Sequence, residues 1–351
     1  MSLRGGFSSL SIRHKLLALV LLPLLVVLPV LGAILLVWGN SALDALLTAK
    51  VRSDLAVARG YFDRVLGEVG SGTQAVADSQ ALHAALRSGD ATALARLLGQ
   101  GRTRHGLEFL NLLTPGEELA VTEAGAAAPG QRVPRLAADS TGAQASVALL
   151  SPAQMALVAP MLAARVPVAL RATRNAAPSE RAQEERAMVL IARAPVRDGD
   201  GRLLGWLQGG VLLNRNLGFI DHINEIVYPE GSLPFGSVGT ATLFLDDVRV
   251  STNVRLFENG ADSGERAIGT RVSLAVREAV LGRGETWLDR AFVVSDWYVS
   301  AYQPLADARG ERVGMLYVGF LEEPFRRMKA GVLLGIGVLF FGVMLAAAWV
   351  S

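Results

Sequence analysis

The sequence predicts an α+β protein: a long N-terminal stalk helix, then two tandem domains built on antiparallel sheets, with a transmembrane helix at either end. Three observations carry this. Two uncharged apolar segments bracket the chain, the region after the first keeps a helical rhythm, and a strand-turn-strand pattern recurs at a fixed interval.

The first apolar segment, Leu16 to Trp38, has 23 residues and no charge. At a rise of about 1.5 Å per residue it is long enough to cross a hydrocarbon core of about 30 Å. It exceeds the apolar core of a cleaved signal peptide, and no small-x-small site follows, so a retained anchor is expected. Pro23 and Pro29 are tolerated in a membrane helix. The second segment, Ala330 to Val350, has 21 uncharged residues, and Gly331, Gly335, Gly337 and Gly342 suit close packing on another helix. The body between the two segments returns to the side from which it left, the layout of a domain anchored at both ends and not of a channel. Arg4, Arg13, His14 and Lys15 precede the first segment with no acidic residue before Asp44, which predicts a cytoplasmic N-terminus and an external body. Arg326, Arg327 and Lys329 pull the other way, beside Glu322 and Glu323.

Next comes the stalk. Leu43, Leu46, Leu47, Val51, Leu55, Val57, Ala58, Phe62, Val65 and Leu66 keep a period near 3.6. Asn40 or Ser41 is a candidate cap, Gly70-Ser71-Gly72 a candidate break, and Ala75 to Leu86 and Ala91 to Leu98 further helix. From Gly106 the pattern turns to strands: Leu107 to Leu113 and Glu118 to Thr122 flank Pro115-Gly116. Pro152 to Leu162 reads as helix, and Arg165, Arg171, Arg174 and Arg181 run through a polar stretch read as a solvated loop or, less simply, an anion contact.

The repeat is the most specific internal feature. Met188 to Leu212 reads MVLIARAPVRDGDGRLLGWLQGGVL and Trp297 to Leu321 reads WYVSAYQPLADARGERVGMLYVGFL. An offset of 109 pairs Pro195 with Pro304, Asp198 with Asp307, Gly201 with Gly310, Gly205 with Gly314 and Gly210 with Gly319, without a gap. Each copy is an apolar run, a D-x-x-G turn and a second apolar run. Ala241 to Leu245 and Arg249 to Thr252 add an earlier strand pair to the second copy, matching Leu107 to Thr122 in the first. Duplicated α+β domains follow. The expected division is a cytoplasmic N-terminus at 1–15, a transmembrane helix at 16–38, stalk helices at 39–101, a membrane-distal domain at 102–235, a membrane-proximal domain at 236–329 and a second transmembrane helix at 330–350. The repeat also decides against calcium at Asp198-Gly199-Asp200-Gly201, because the second copy keeps the turn without the middle carboxylate.

Composition narrows the chemistry. There is no cysteine, which removes disulfides, thiolate metal sites and cysteine nucleophiles and fits a periplasm. A net charge of +2 from 34 basic and 32 acidic residues does not favour nucleic acid. The four histidines have no ligand spacing, and phosphate-loop, H-E-x-x-H and G-x-S-x-G motifs are missing, so no enzyme, metal or cofactor is expected.

The run W-Y-x-S-A-Y-x-P-L-x-D-x-x-G-x-x-V-G-M-L-Y-V-G over Trp297 to Gly319, in a PAS-like unit leading into a membrane helix, resembles the Cache sensor superfamily. The long first helix and two tandem units resemble the double-Cache type of bacterial histidine kinases and chemoreceptors, over about residues 40–330. The resemblance implies the ligand-sensing module of a homodimeric receptor in the bacterial inner membrane, its sensor region periplasmic. Its partner would be a small molecule such as an organic anion or amino acid, its signal would leave through the second transmembrane helix, and a full-length relative would carry a kinase or methyl-accepting module. Such proteins continue past the second span, whereas this sequence stops at Ser351, which reads as a sensor fragment or truncated product. In the proximal unit Trp287, Arg290, Trp297, Tyr298 and Tyr302 cluster, and an arginine between aromatic walls could clamp a carboxylate. Strand alternation puts Tyr298 and Tyr302 on one face and Trp297 on the other; the same aromatics also suit a plain core. The offset of 109 places Arg193 opposite Tyr302 and Arg186 opposite Ser295, candidate anion contacts in the distal unit. The competing readings are a structural or adhesion module without ligand and a tethered hydrolase.

Overall fold

A computed structural model describes residues 12–133, 143–258 and 261–350; Arg4, used above for orientation, lies outside them. Helix α1 runs Ile12–Ala77, and α2 (Gln80–Ser88) and α3 (Ala91–Arg104) follow it. The helix neither starts at Asn40 nor breaks at Gly70-Ser71-Gly72. Ser41 hydrogen-bonds back to the Val37 carbonyl at 2.9 Å instead of capping. The glycines serve close packing: a Cβ on Gly72 would stand 2.9 Å from Cβ of His105, and one on Gly70 3.3 Å from Cβ of Ala145. Val51, Leu55, Ala58, Phe62, Val69 and Val76 form the buried stripe of α1, and Arg59–Asp63 and Arg64–Glu68 pair one turn apart on its exposed side. The break falls at Asp78-Ser79, where the Ser79 hydroxyl accepts from Leu82 N–H and caps α2. Asp90 caps α3 in the same way, on Thr92 and Ala93.

The strands are β1 (Phe109–Leu113), β2 (Leu119–Thr122), β3 (Gly125–Ala126), β4 (Gln144–Leu150), β5 (Val168–Ala169), β6 (Gln183–Glu184), β7 (Ala187–Arg197), β8 (Leu203–Leu212), β9 (Gly239–Leu245), β10 (Val248–Thr252), β11 (Arg255–Glu258), β12 (Ala261–Arg266), β13 (Trp287–Val293), β14 (Asp296–Ala306) and β15 (Arg312–Leu321). Between them lie α4 (Pro152–Val158), α5 (Leu217–Val227) and α6 (Leu274–Arg277), and α7 (Glu323–Val350) closes the chain. The N-terminal sheet has the order β3-β2-β1-β8-β7-β4 and the C-terminal sheet β10-β9-β15-β14-β13. Leaving β3 aside, both read 2-1-5-4-3 in their own chain order, and every ladder within them is antiparallel.

The duplication extends to single hydrogen bonds. Asp198 accepts from the N–H groups of Asp200 and Arg202, and Asp307 from those of Arg309 and Glu311. Gly201 and Gly310 close these turns at φ 82° and 81°, a conformation glycine adopts without a Cβ penalty. These side-chain-capped turns make D-x-x-G a hairpin device in both copies.

Each sheet packs one face on short helices. Under the N-terminal sheet Phe109, Leu113, Leu150, Val189, Ile191 and Leu212 meet Met155, Val158 and Leu162. Under the C-terminal sheet Phe244, Tyr298, Tyr302, Met315 and Tyr317 meet Val272, Val276 and Val280. The arginine-rich stretch is largely exposed, as a solvated loop would be, but it is not loose: it clasps the C-terminal sheet. Arg171 N–H donates to Gly269 O, Leu274 N–H to Asn175 O and Arg271 N–H to Thr173 Oγ1, at 2.8–2.9 Å. Asp247, fully buried, accepts from Arg271 at 2.5 Å and from Arg181 at 3.5 Å.

By its internal contacts the chain divides into two compact units: Val51–Leu233 with Val238–Leu321, and Met1–Lys50 with Pro234–Ser237 and Glu322–Ser351. The first holds both sheets. In the second, Lys329 pairs with Asp44 at 2.7 Å and Phe235 meets Phe325 edge to face. Among the described residues two helical spans are long and apolar enough to cross a membrane: one in α1, within Pro29–Ala77, and Glu323–Ala346 of α7, with mean hydropathies of 1.8 and 2.1.

Candidate functional site

Register decides which side chains of the C-terminal sheet look inward. Trp287 pairs with Tyr302 and Ala291 with Tyr298 on β13 and β14; Tyr302 pairs with Tyr317 on β15, and Met315 with Phe244 on β9. These residues share the inner face. Tyr302 and Tyr317 stack with ring centroids 4.6 Å apart, and Phe244 lies 6.0 Å from Tyr302. Trp297 turns outward, about half exposed, against Phe292. Arg290 pairs with Val299 on that outer face and is exposed. It does not join Tyr298 and Tyr302, because it is one residue out of phase with Ala291.

The arginine of this face is Arg249. It is 2% exposed. Its guanidinium lies 4.9 Å over the Phe244 ring, and Nη1 donates to Thr270 Oγ1, which passes a hydrogen bond on to Ala267 O. Nε has no acceptor, and among the described residues no carboxylate pairs with the guanidinium. Burial lowers the Arg249 pKa, opposed by the phenols of Tyr302, Tyr317 and Tyr298. Burial in turn pushes all three phenols up, so they stay protonated and able to donate. Tyr317 shares a 3.2 Å hydrogen bond with Thr240. A buried cation without a counter-anion is costly, and the arrangement suits a ligand carboxylate held by the guanidinium and flanked by phenols.

Sequence reasoning missed Arg249 for a definite reason. In Val248-Arg249-Val250-Ser251-Thr252 plain alternation sends the valines inward and the arginine out. A β-bulge intervenes: Arg249 pairs with Phe244 but Ser251 pairs with Leu243, so Val250 is the extra residue and Arg249 turns to the core.

The N-terminal sheet carries the corresponding row. Asn111 pairs with Gln208, Gln208 with Arg193, and Arg193 with Gln144. Gln208 and Arg193 stand where the other sheet has Tyr317 and Tyr302. Gln208 is fully buried, and neither its amide oxygen nor its nitrogen has a partner. Asn111 donates to Val158 O at 2.7 Å. Arg193 lies 4.4 Å over the Trp206 ring and bonds Glu117 at 3.0 Å. Arg186 is elsewhere, just ahead of β7, held by both oxygens of Glu184 at 2.7 and 2.8 Å. The seven candidates therefore fall into three groups: Tyr298, Tyr302 and Trp287 on one inner face, Arg193 on the other, and Arg186, Arg290 and Trp297 on neither. The repeat offset, applied to Tyr317, was the signal that finds Gln208. Among the described residues no cluster of His, Asp and Glu could hold a metal ion.

The family model "Single cache domain 3" matches residues 211–331. No curated protein matches the chain. Solved structures similar to it include the periplasmic domain of Vibrio cholerae LuxQ, at 13% identity and a TM-score of 0.44, covering 77% of this chain and 98% of that one. The extracellular domain of the putative histidine kinase vpHK1S-Z8 is 12% identical, with a TM-score of 0.44 and coverage of 81% and 95%. The ligand-binding domain of the Pseudomonas aeruginosa PAO1 amino acid chemoreceptor PctB, in complex with L-Arg, is 14% identical, with a TM-score of 0.32 and coverage of 80% and 94%. The segment that carries the C-terminal sheet, Arg249 and the three inward tyrosines, residues 211–331, is the part of the chain that matches the single Cache domain model.

Proposed function

We propose that this chain is the sensing part of a bacterial membrane receptor of double-Cache design, and that a small organic anion or amino acid is its signal. In this reading residues 39–101 form the stalk, 102–235 the membrane-distal domain and 236–329 the membrane-proximal one, outside the inner membrane, with spans at 16–38 and 330–350. The observation that carries it is the uncompensated charge of Arg249. Evolution of a packed core alone favours an apolar side chain there, whereas a carboxylate ligand would neutralise the guanidinium and take hydrogen bonds from Tyr298 and Tyr302. Trp287, partly buried at the edge of the same core, supports an aromatic wall.

Transmission is part of the proposal. Tyr317 lies on β15, and β15 ends at Leu321, two residues before α7 begins at Glu323. A ligand that binds one arrangement of β15 more tightly than another would bias the start of α7; equal affinity would transmit nothing. Two copies are expected to pair through the stalk, where α1 leaves Leu46 and Val57 exposed.

The test is calorimetry on the full chain in lipid nanodiscs against a panel of amino acids and small carboxylates. A binder whose affinity drops by roughly a hundredfold in Arg249→Met supports the reading, as expected when a charge-assisted pair is lost. Failure of every carboxylate in the panel, or binding indifferent to Arg249→Met, would overturn it.

A further inference from the structure

A second cationic site lies outside both sheet cores. The clasp, the β8–α5 connection and the β11–β12 ribbon enclose an open crevice of about 480 Å³. Its charged lining is Arg171, Arg215, Arg255, Arg266 and Glu265. Two of the four guanidinium groups are neutralised: Arg171 by Glu265 at 2.6 Å, and Arg266 by Asp221 through two bonds of 2.6 and 2.8 Å. The other two meet only backbone carbonyls: Arg215 donates to Pro167 O at 3.0 Å and Arg255 to Gly264 O at 2.9 Å. Among the described residues neither has a carboxylate partner. The crevice thus keeps two uncompensated guanidinium charges, those of Arg215 and Arg255.

Arg215 is also held in an unfavourable backbone conformation. Its φ is 54°, in the left-handed region where glycine and asparagine are at ease and arginine is not. Its N–H is fixed there by Val250 O at 2.8 Å, which aims the residue out of the β8–α5 turn. A turn that needs only this backbone would take glycine or asparagine, so the arginine is there for its side chain.

We propose that this crevice binds a small oxyanion carrying two or more negative charges, either a phosphate or a compound with two or three carboxylates. Arg215 and Arg255 supply the charge, and their planar forks present paired N–H donors to a phosphate or carboxylate. Arg171 and Arg266 hold the walls through their own ion pairs. Because Arg171 and Arg215 come from the N-terminal half and Arg255 and Arg266 from the ribbon beside the C-terminal sheet, a bound oxyanion ties the two sheets together. The site is distinct from the buried Arg249 cluster and takes a ligand of higher charge.

The experiment titrates the full chain in nanodiscs with inorganic phosphate in one arm and citrate in the other. The test variant is Arg215→Asn with Arg255→Gln. Asparagine suits the left-handed backbone at 215, so the fold is kept, and circular dichroism with thermal melting checks this. Binding of either probe to the wild type, weakened at least roughly tenfold in the double variant and unchanged in Arg249→Met, is the expected result; the arm that binds names the oxyanion class. A second variant, Arg255→Lys, retains charge but not the fork and is expected to lose less. Absence of binding in both arms at millimolar probe overturns the proposal. So does equal affinity in the double variant, or binding that disappears in Arg249→Met instead. That last outcome would leave the Arg249 reading standing.

Discussion

Arg249 is worth separating from an ordinary structural arginine, and the two roles predict opposite signs. If the guanidinium only shapes the fold, its loss should destabilise. If it waits for an anion, Arg249→Met removes a buried uncompensated charge, and the stability of the ligand-free protein is unchanged or raised by up to about 2 kcal/mol. Thermal melting of the two proteins, set beside their ligand affinities, checks this. Glu184 makes the contrast. It is almost fully buried and is held by Arg186 through two bonds and by Arg181 at 2.9 Å. Burial pushes its pKa up, but the hydrogen bonds from Arg186 and the charges of Arg186 and Arg181 outweigh burial and leave it below the ordinary 4.5. A depressed carboxyl contributes stability that is complete above 4.5 and is lost as pH falls through the lower folded value. Asp246 nearby works in reverse, raised by burial and by the charge of Asp247, so it gains stability as pH falls. The Glu184 part is therefore read as a difference. Glu184→Gln should lower stability at neutral pH by about 1–3 kcal/mol, and the gap to wild type should narrow as the solution is acidified below pH 4.5. A gap that stays constant in acid would refute the assignment.

At the level of elements, the glycines of the repeat explain why it was legible. A Cβ on Gly205 would lie 2.4 Å from Leu113 O, and one on Gly314 2.0 Å from Phe244 O. On Gly210 it would meet Leu190 O at 2.5 Å, and on Gly319 Val299 O at 2.9 Å, the same carbonyl 109 residues on. Close strand approach, demanded twice, preserved the pattern in both copies. Gly205→Ala or Gly314→Ala should each destabilise by at least about 2 kcal/mol, while Gly199→Ala, in open space within the turn, should stay within about 0.5 kcal/mol; denaturant midpoints would distinguish them. The hairpins, helix α4 and the inward phase of Tyr298 and Tyr302 could be read from period and turn chemistry alone. What could not be read arises where a long-range contact overrides a local rule. The bulge at Val250 depends on pairing with β9, the straight passage of α1 through Gly70-Ser71-Gly72 on packing against His105 and Ala145, and the clasp at 165–181 on carboxylates far along the chain. Arg290 misled because its neighbours were aromatic, whereas phase, not proximity in sequence, decides which side chains meet.

For the whole molecule the proposed function turns on whether the two apolar helices cross a membrane and on which side they leave the sheets. Leu31, Ile34 and Val37 of α1, and Leu334, Val338 and Phe341 of α7, are largely exposed, as a lipid-facing surface requires. The window that marks α7 as a candidate span has no buried residue, which argues against a soluble core helix. Orientation rests on the positive charges ahead of the apolar segment of α1, opposed by Arg326, Arg327 and Lys329 ahead of that of α7. Those three are partly neutralised: Arg327 by Glu323 at 2.9 Å, Arg326 by the same carboxylate at 3.7 Å, and Lys329 by Asp44 at 2.7 Å. The N-terminal cluster should therefore dominate and leave both sheets outside. The absence of cysteine makes the measurement clean, since a single introduced thiol is the only one present. Ser88→Cys, exposed at the end of α2, should react with a membrane-impermeant maleimide on cells whose outer membrane alone has been opened. Ser9→Cys, ahead of α1, should react only after the inner membrane is lysed. The reverse pattern would put the sheets in the cytoplasm and detach the receptor reading from its geometry, because a sensor whose inner faces look toward the cytoplasm reports on metabolism inside the cell and has no need of two spans to pass its signal.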